Sequence, residues 1–506
     1  MKLKIILFLF FANSIQLYAQ KITYSKVHSG EANRNAQIEI LGKVGANYIV
    51  FKKIGWRNII QVFNQDMKEL SNDRLKFIPD NINGADFIVY PDYFLMVYQY
   101  QKSGVLYCNA ARFDANAQLI GSTFTLDTIR IGSRSPNDIY SMTYSDDKAN
   151  VLIYKMYERN EKLNFMAKIY DANLALKDSV RNYIDYNDRK EVYTPLQITN
   201  KGKIVFIKET KGGNRENINQ LELVNVDNKT GVFSPTAIDL KGKYIDDVNL
   251  KIDNLNENYI INSLYYPEKR SSNIEGLFSA FIKDNGNTIY STVNPFSDSL
   301  RMKMTDNKNT RSAFNNFFLK NIFLKRDGSF ILAAEDFFTQ TIGGNYYGWN
   351  RWDYLYGYGN PYFYDYNYLY SPYYRFNRFN SFNNRTSTQF YYNDIMVLNV
   401  DDSLKITWQN IILKNQNDND DDNFLSFGTM NTSGEIHFLF IEKDKNYQLI
   451  SNHGISPYGN IVRYPTVKSR EAGYQFMPRL AKQTGARQII IPCVFRGNIC
   501  FAKMDF

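Results

Sequence analysis

Three histidines, His28, His437 and His453, are scattered through a chain of 506 residues, and no pair has the H-x-x-x-H spacing that presents two imidazoles to one metal. A His-based zinc or iron centre is not expected, and the sequence calls for no cofactor. No G-x-S-x-G elbow appears. Ser145-Asp146-Asp147-Lys148 and Lys229-Thr230-Gly231 match S-x-x-K and K-T-G, but both fall in turns between strands, without the helix such a serine needs. Asp418-Asn419-Asp420-Asp421-Asp422-Asn423 alternates carboxylates as a calcium loop does, yet it has no glycine at its sixth position and Thr429 stands at its twelfth. It reads as a solvated acidic connection. No catalytic or metal-ligating residue is assigned.

Of the cysteines, Cys108, Cys493 and Cys500, the last two flank Arg496-Gly497 symmetrically. A two-residue hairpin turn there would set them opposite each other on neighbouring strands, within disulfide reach. A bridge and a pair of buried thiols both satisfy that spacing. Three cysteines cannot form the dense framework of a small secreted domain, so stability must come from core burial.

The strongest compositional signal is aromatic. Between Tyr346 and Phe382, 18 of 37 residues are Phe, Trp or Tyr, against 16% for the chain, and the remainder is mostly Gly, Asn, Pro, Ser and Arg. Flat rings with a polar edge dominate protein-recognition hot spots, and the same faces stack on sugars. Trp349, Trp352, Tyr354, Tyr356, Tyr358, Tyr362, Tyr364, Tyr366, Tyr368 and Tyr370 are therefore the candidate ligand-binding residues, with Arg375 and Arg378 able to add cation–π contacts. The alternation from Tyr362 to Tyr370 could form a strand, but Gly357, Gly359, Pro361 and Pro372 interrupt it. A long loop with extended patches is expected.

The elements that carry this loop follow a ruler. An apolar residue followed by Asp and small polar residues marks a turn, most clearly at Phe113-Asp114-Ala115-Asn116 and Tyr170-Asp171-Ala172-Asn173. The same position recurs at Asn64, Asp114, Asp171, Asp227, Asp284, Asp401, Ser456 and Asp505, with intervals of 49 to 57 residues and one of 117. A second ruler, an apolar strand after a turn, also counts eight: Tyr48 to Phe51, Tyr93 to Val97, Val151 to Tyr154, Ile204 to Ile207, Tyr259 to Ile261, Phe330 to Leu332, Ile436 to Ile441 and Gln488 to Ile491. Gly202 and Gly328 supply hairpin-type turns before two of these strands.

The expected fold is all-β: a closed β-propeller of about eight four-stranded blades, with seven as the alternative. The last unit stops at Met504-Asp505-Phe506, the end of a third strand, so Lys21 to Ser29 is expected to supply its fourth. The double interval is filled by a polar connection from about Phe296 to Ala313 and by the aromatic insertion at about 343–387, inside the sixth blade.

Residues 1–19 read as a signal peptide, with Lys2 and Lys4 before an apolar run from Ile5 to Ala12 and a close at Leu17-Tyr18-Ala19. A soluble product in the periplasm or outside the cell is expected, with residues 20–506 forming one domain and no transmembrane segment. Losing the leader lowers the formal charge from +9 to +7, and with no basic stripe nucleic acid is not an expected partner. In repeat pattern the chain resembles uncharacterised exported bacterial β-propeller proteins. That resemblance is architectural and implies no site residues.

The function expected from these features is a non-catalytic binding or scaffold module, monomeric, recognising an envelope or extracellular protein or a polysaccharide through the aromatic loop. The alternative is a propeller hydrolase or lyase acting on glycans, whose acidic residues would converge on a central channel from different blades.

Overall fold

A computed structural model describes residues 21–27, 36–131, 139–304 apart from 160–161, 186, 188–189, 214–215, 285 and 287–288, then 310–342, 349–356, 387–469 apart from 420–421 and 445–446, and 473–506. The expected signal peptide, His28 and most of the aromatic insertion lie outside the described residues.

Within them the protein is all-β, built from antiparallel sheets. The first, Gln37–Val44, Asn47–Ile54, Arg57–Phe63 and Glu69–Arg74, sets the pattern, each strand pairing with the next. Four sheets have this four-stranded meander exactly as a unit, and a nine-stranded sheet is two such groups joined by one residue pair, Ile218 with Ile245. The strands therefore fall into eight groups, here called units one to eight. Extra short strands arise where an edge strand is interrupted, as at Pro195 between Glu191–Tyr193 and Gln197–Ile198, and at Pro478 between Tyr474–Phe476 and Lys482–Gly485. Proline has no amide hydrogen to give a ladder, which confines it to such places.

Every strand of the apolar ruler is the second strand of its unit. That strand is sandwiched on both faces, and in unit five Asn258–Tyr266 is buried throughout. Fourth strands such as Phe233–Ile238 mix exposed and half-buried residues. The Asp ruler also has a structural meaning. Asp114 accepts from the backbone amides of Asn116 and Gln118 (2.8 and 2.8 Å), and Asp171, Asn64 and Asp401 repeat this bonding to the amides two and four residues on. Each closes the turn between a third and a fourth strand. Asp284 departs from the pattern: it faces Tyr259 and Lys203 instead. Asp505 also departs from it, accepting from the Gln488 side-chain amide (2.7 Å).

Consecutive units share apolar cores. One joins units one and two through Phe51, Phe87, Phe94 and Phe113, and the series continues through six more. An eighth core joins Ile38, Ile40 and Phe63 of unit one to Ile490, Ile499 and Phe501 of unit eight. The N-terminal segment does supply the missing strand: Lys21–Tyr24 pairs antiparallel with Asn498–Asp505, from Lys21 opposite Asp505 to Tyr24 opposite Ala502.

Cys493 and Cys500 stand directly opposite in the last hairpin, buried, with their Sγ atoms 2.7 Å apart and unbonded. The polar connection after unit five carries a seven-residue helix, Asp298–Met304, whose Leu300 is buried. Among the described residues no helix is long and apolar enough to cross a membrane.

Candidate functional site

Two cavities lie at opposite ends of the units. The larger, about 730 Å³, is lined by first strands of units one to six and unit eight. It reaches the turns between first and second strands at Asp146, Lys148 and Asn254. Its charged lining comprises Glu39, Asp86 and Asp146 against Lys43, Lys148, Lys251 and Lys482, with amides from Gln197, Asn249, Asn254, Asn321 and Gln483 between them.

The two inner carboxyls are held in an environment that opposes their ionisation. Burial, then the neighbouring Asp86 carboxylate, pushes Glu39 up to about 8, while Lys482 pulls in the other direction. Burial raises Asp86 to about 7. Glu39 Oε2 is buried and has no hydrogen-bond partner among the described residues. The Tyr144 phenol is raised by burial and then by Glu39 and Asp86, and Lys148 is lowered by burial and by Lys482. Lys148 donates to the Val89 carbonyl (2.6 Å), and Asp146 accepts from Asn254 (2.5 Å). Lys43, Lys251 and Lys482 make no ion pair among the described residues. The cavity thus brings ammonium groups, amides and two carboxyls whose ionisation burial opposes to one space.

Sequence reasoning missed these residues. The signal available was alternation: Gln37 and Glu39 interleave with the buried Ile38 and Ile40, and Asn249 and Lys251 with Val248, Leu250 and Ile252. Nothing local says whether the polar set of such a strand faces solvent or a shared cavity.

At the other end sits the base of the aromatic insertion, which leaves unit six between its second strand, Phe330–Ile342, and its third, Ser387–Val400. Where a loop was expected, Arg351–Tyr356 forms a short helix. Asn350 starts it by accepting from the Trp352 amide (2.9 Å) through its side chain and from the Tyr354 amide (3.0 Å) through its carbonyl. The Arg351 guanidinium is buried and forks onto Asp246 of unit five through Nε (2.7 Å) and Nη2 (2.9 Å), and it donates to the Phe317 carbonyl and lies 4.0 Å from the Phe318 ring centroid. Leu355 is buried among Phe318, Phe337, Phe390 and Tyr392, with Trp349, Tyr354 and Tyr356 packed against them. Trp349 donates its indole N–H to Asn316 (3.0 Å).

Of the twelve candidate ligand-binding residues, Trp349, Tyr354 and Tyr356 are thus partly committed to packing. Trp349 and Trp352 border the second cavity, about 360 Å³, with Asn217, Arg270, Ser271 and Asn316. Lys211 lies over both the Trp352 and Tyr356 rings (5.5 and 4.9 Å to the centroids). Tyr358, Tyr362, Tyr364, Tyr366, Tyr368, Tyr370, Arg375 and Arg378 lie outside the described residues.

The remaining motifs resolve into structure. His437 is buried on its strand, with Nδ1 3.0 Å from Asn452 Oδ1. In the acidic run Asp422 is paired with Arg479 (2.5 and 3.0 Å) and Tyr392 (2.7 Å), and Asp420 and Asp421 lie outside the described residues. Ser145 and Lys148 close a turn, Lys148 donating its amide to the Ser145 carbonyl (2.8 Å).

No protein-family model matches the chain, and no curated protein matches it in sequence. Among solved structures it is similar to the WD40 domain of SCAP from fission yeast (8% identity, 96% of this chain and 98% of that one, TM-score 0.39). It is similar also to prolyl oligopeptidase B from Galerina marginata (9% identity, 92% of this chain, TM-score 0.41), of which it spans 56%, and to a PL25 ulvan lyase (10% identity, 82% and 90%, TM-score 0.37). Likenesses this distant carry no argument about activity.

Proposed function

We propose that this chain is an exported binding module, monomeric and closed as an eight-bladed β-propeller over residues 20–506, which recognises a polysaccharide or a protein surface through the face that carries the aromatic insertion. Closure is supported by the eighth core and by the N-terminal strand in unit eight. The observation that carries the function is the seat of the insertion: a buried, bidentate Arg351–Asp246 pair fixes its first helical turn beside a cavity bordered by Trp349 and Trp352. A segment that only decorated the surface would have no use for a buried guanidinium fork, whose desolvation must be offset by good geometry. Indole faces surrounded by Asn and Ser side chains suit a saccharide ring best.

The test replaces residues 357–386 by a short Gly-Ser turn, which keeps the Arg351 anchor, and compares it with the parent for binding to a polysaccharide panel and to envelope proteins. Circular dichroism controls for folding. Loss of a ligand in this variant or in Trp349→Ala/Trp352→Ala, with folding retained, supports the reading; unchanged binding by both variants of everything the parent binds overturns it.

The glycan hydrolase or lyase reading has one specific observation in its favour, the convergence of Glu39 and Asp86 on a single channel cavity. It predicts release of new reducing or unsaturated ends from a polysaccharide, abolished in Glu39→Gln and Asp86→Asn. Intact polysaccharide after prolonged incubation sets it aside.

A further inference from the structure

The cavity at the turn end contains more than a structural lining requires. Four lysines from four units, Lys43, Lys148, Lys251 and Lys482, border one space of about 730 Å³; among the described residues none of them makes an ion pair, Lys148 donates to the Val89 carbonyl, and Lys482 acts electrostatically on Glu39. Unpartnered ammonium groups around a common void repel one another, and here burial and Lys482 already disfavour the charge on Lys148. Of the three acids present, Asp146 is taken up by Asn254, and Glu39 keeps a buried carboxyl oxygen without a hydrogen-bond partner among the described residues. Between the charges stand amide and hydroxyl groups from Gln197, Asn249, Asn321, Gln483, Thr143 and Thr484, of which Gln197 already donates to the Leu250 carbonyl, Gln483 to that of Asn431 and Thr484 to Gln488. Apolar residues, among them Leu41, Met142, Leu196 and Ile322, share the lining.

We propose that this cavity is a second binding site, distinct from the insertion face, and that it takes an acidic saccharide: an anion for the lysines and a run of hydroxyls for the amides. A purely apolar ligand would strand these charges, and a simple inorganic anion would fill only a small part of a space of about 730 Å³. The size suits a segment of about two to three sugar units. The proposal does not rest on the insertion-face reading, because the two cavities lie at opposite ends of the units.

The titratable groups that interact with Glu39 and Asp86 are Lys482, Tyr144, Cys108 and Tyr154, and Asp146 and Lys148 border the same cavity. As pH rises through about 7 to 8, the two carboxyls lose their protons and bring negative charge to the site. Affinity for an anion should therefore fall between pH 6 and pH 9.

The experiment is calorimetric titration of the full mature chain with trigalacturonate and, in parallel, with the neutral trigalactoside. The expected result is binding of the uronate alone, weakened about tenfold in each of Lys251→Gln and Lys482→Gln, since each substitution removes one charge-assisted contact. Binding should also weaken with added salt and with rising pH, and Glu39→Gln/Asp86→Asn should flatten the pH dependence. Trp352→Ala, at the other cavity, should leave the titration unchanged. Equal affinity for both sugars, or indifference to both lysine variants in protein whose circular dichroism matches the parent, overturns the proposal. No heat with either sugar overturns it too.

Discussion

Glu39 and Asp86 pay for their place in the cavity by keeping their protons, and that sets the sign of their effect on stability. Their folded-state values, about 8 and about 7, lie above those of an unfolded chain, so between about pH 4 and pH 8 the folded protein binds more protons. Their contribution is fully present below about pH 4 and is lost as pH rises through those folded values. The thermal midpoint of the parent should therefore drop from pH 5 to pH 9 more steeply than that of Glu39→Gln/Asp86→Asn, measured by differential scanning calorimetry. Parallel curves would remove the basis for the raised values. The cysteine pair behaves differently. Burial raises the Cys493 thiol, and Cys500 beside it acts the same way, so the thiolate needed for exchange is scarce. Iodoacetamide should leave both cysteines intact in the folded protein and label both after unfolding without reductant. Failure to label them without reductant would mean a bridge. This pairing was legible in the sequence because a two-residue turn fixes register, whereas the role of Glu39 was not, because it depends on strands hundreds of residues away.

At the scale of elements, the turn ruler and the apolar ruler were readable because each reflects a local cause: an Asp or Asn side chain that accepts from its own turn, and a second strand covered on both faces. The base of the insertion was not readable, because Arg351 acquires its role only from Asp246, 105 residues earlier. That side chain fixes the helix Arg351–Tyr356 to unit five. Arg351→Met leaves Asp246 buried without its counter-charge and should destabilise the protein by about 3 to 5 kcal/mol. Arg351→Lys keeps the charge but loses the fork, and should fall between parent and Arg351→Met. Urea unfolding followed by tryptophan fluorescence, with Trp349 and Trp352 as local reporters, measures both. A Met variant as stable as the parent would show that the clamp does not hold the insertion.

For the whole molecule, the proposed closed propeller raises the question of what would keep the strand groups from remaining an open row. In units two, three, four, six and seven the turn between third and fourth strands is held by the unit before it: Asn47 bonds the Ala115 carbonyl (2.9 Å), Tyr93 that of Ala172 (2.9 Å), Asn182 that of Gly231 (2.6 Å), Asn294 that of Leu404 (2.8 Å) and Asn410 that of Gly459 (2.7 Å). Lys503 of unit eight reaches the Gln65 carbonyl of unit one (2.5 Å), so the same latch crosses the junction between last and first units. There the strand Lys21–Tyr24 does for unit eight what covalent continuity does elsewhere, adding a fourth strand and placing Ile22, Tyr24 and Val27 against the core between units seven and eight. Half-burial of three such side chains is worth about 3 kcal/mol by area alone. A chain beginning at Ala36 should therefore unfold at lower urea, and it should self-associate, because Asn498–Asp505 becomes an unpaired edge. A synthetic peptide spanning residues 20–27, added in excess, should restore both the urea midpoint and the monomer on size exclusion, since it can fill the vacant register. If the truncated chain stays monomeric and as stable as the parent, the closing strand is dispensable, and the eighth core with the Lys503 latch suffices to shut the ring.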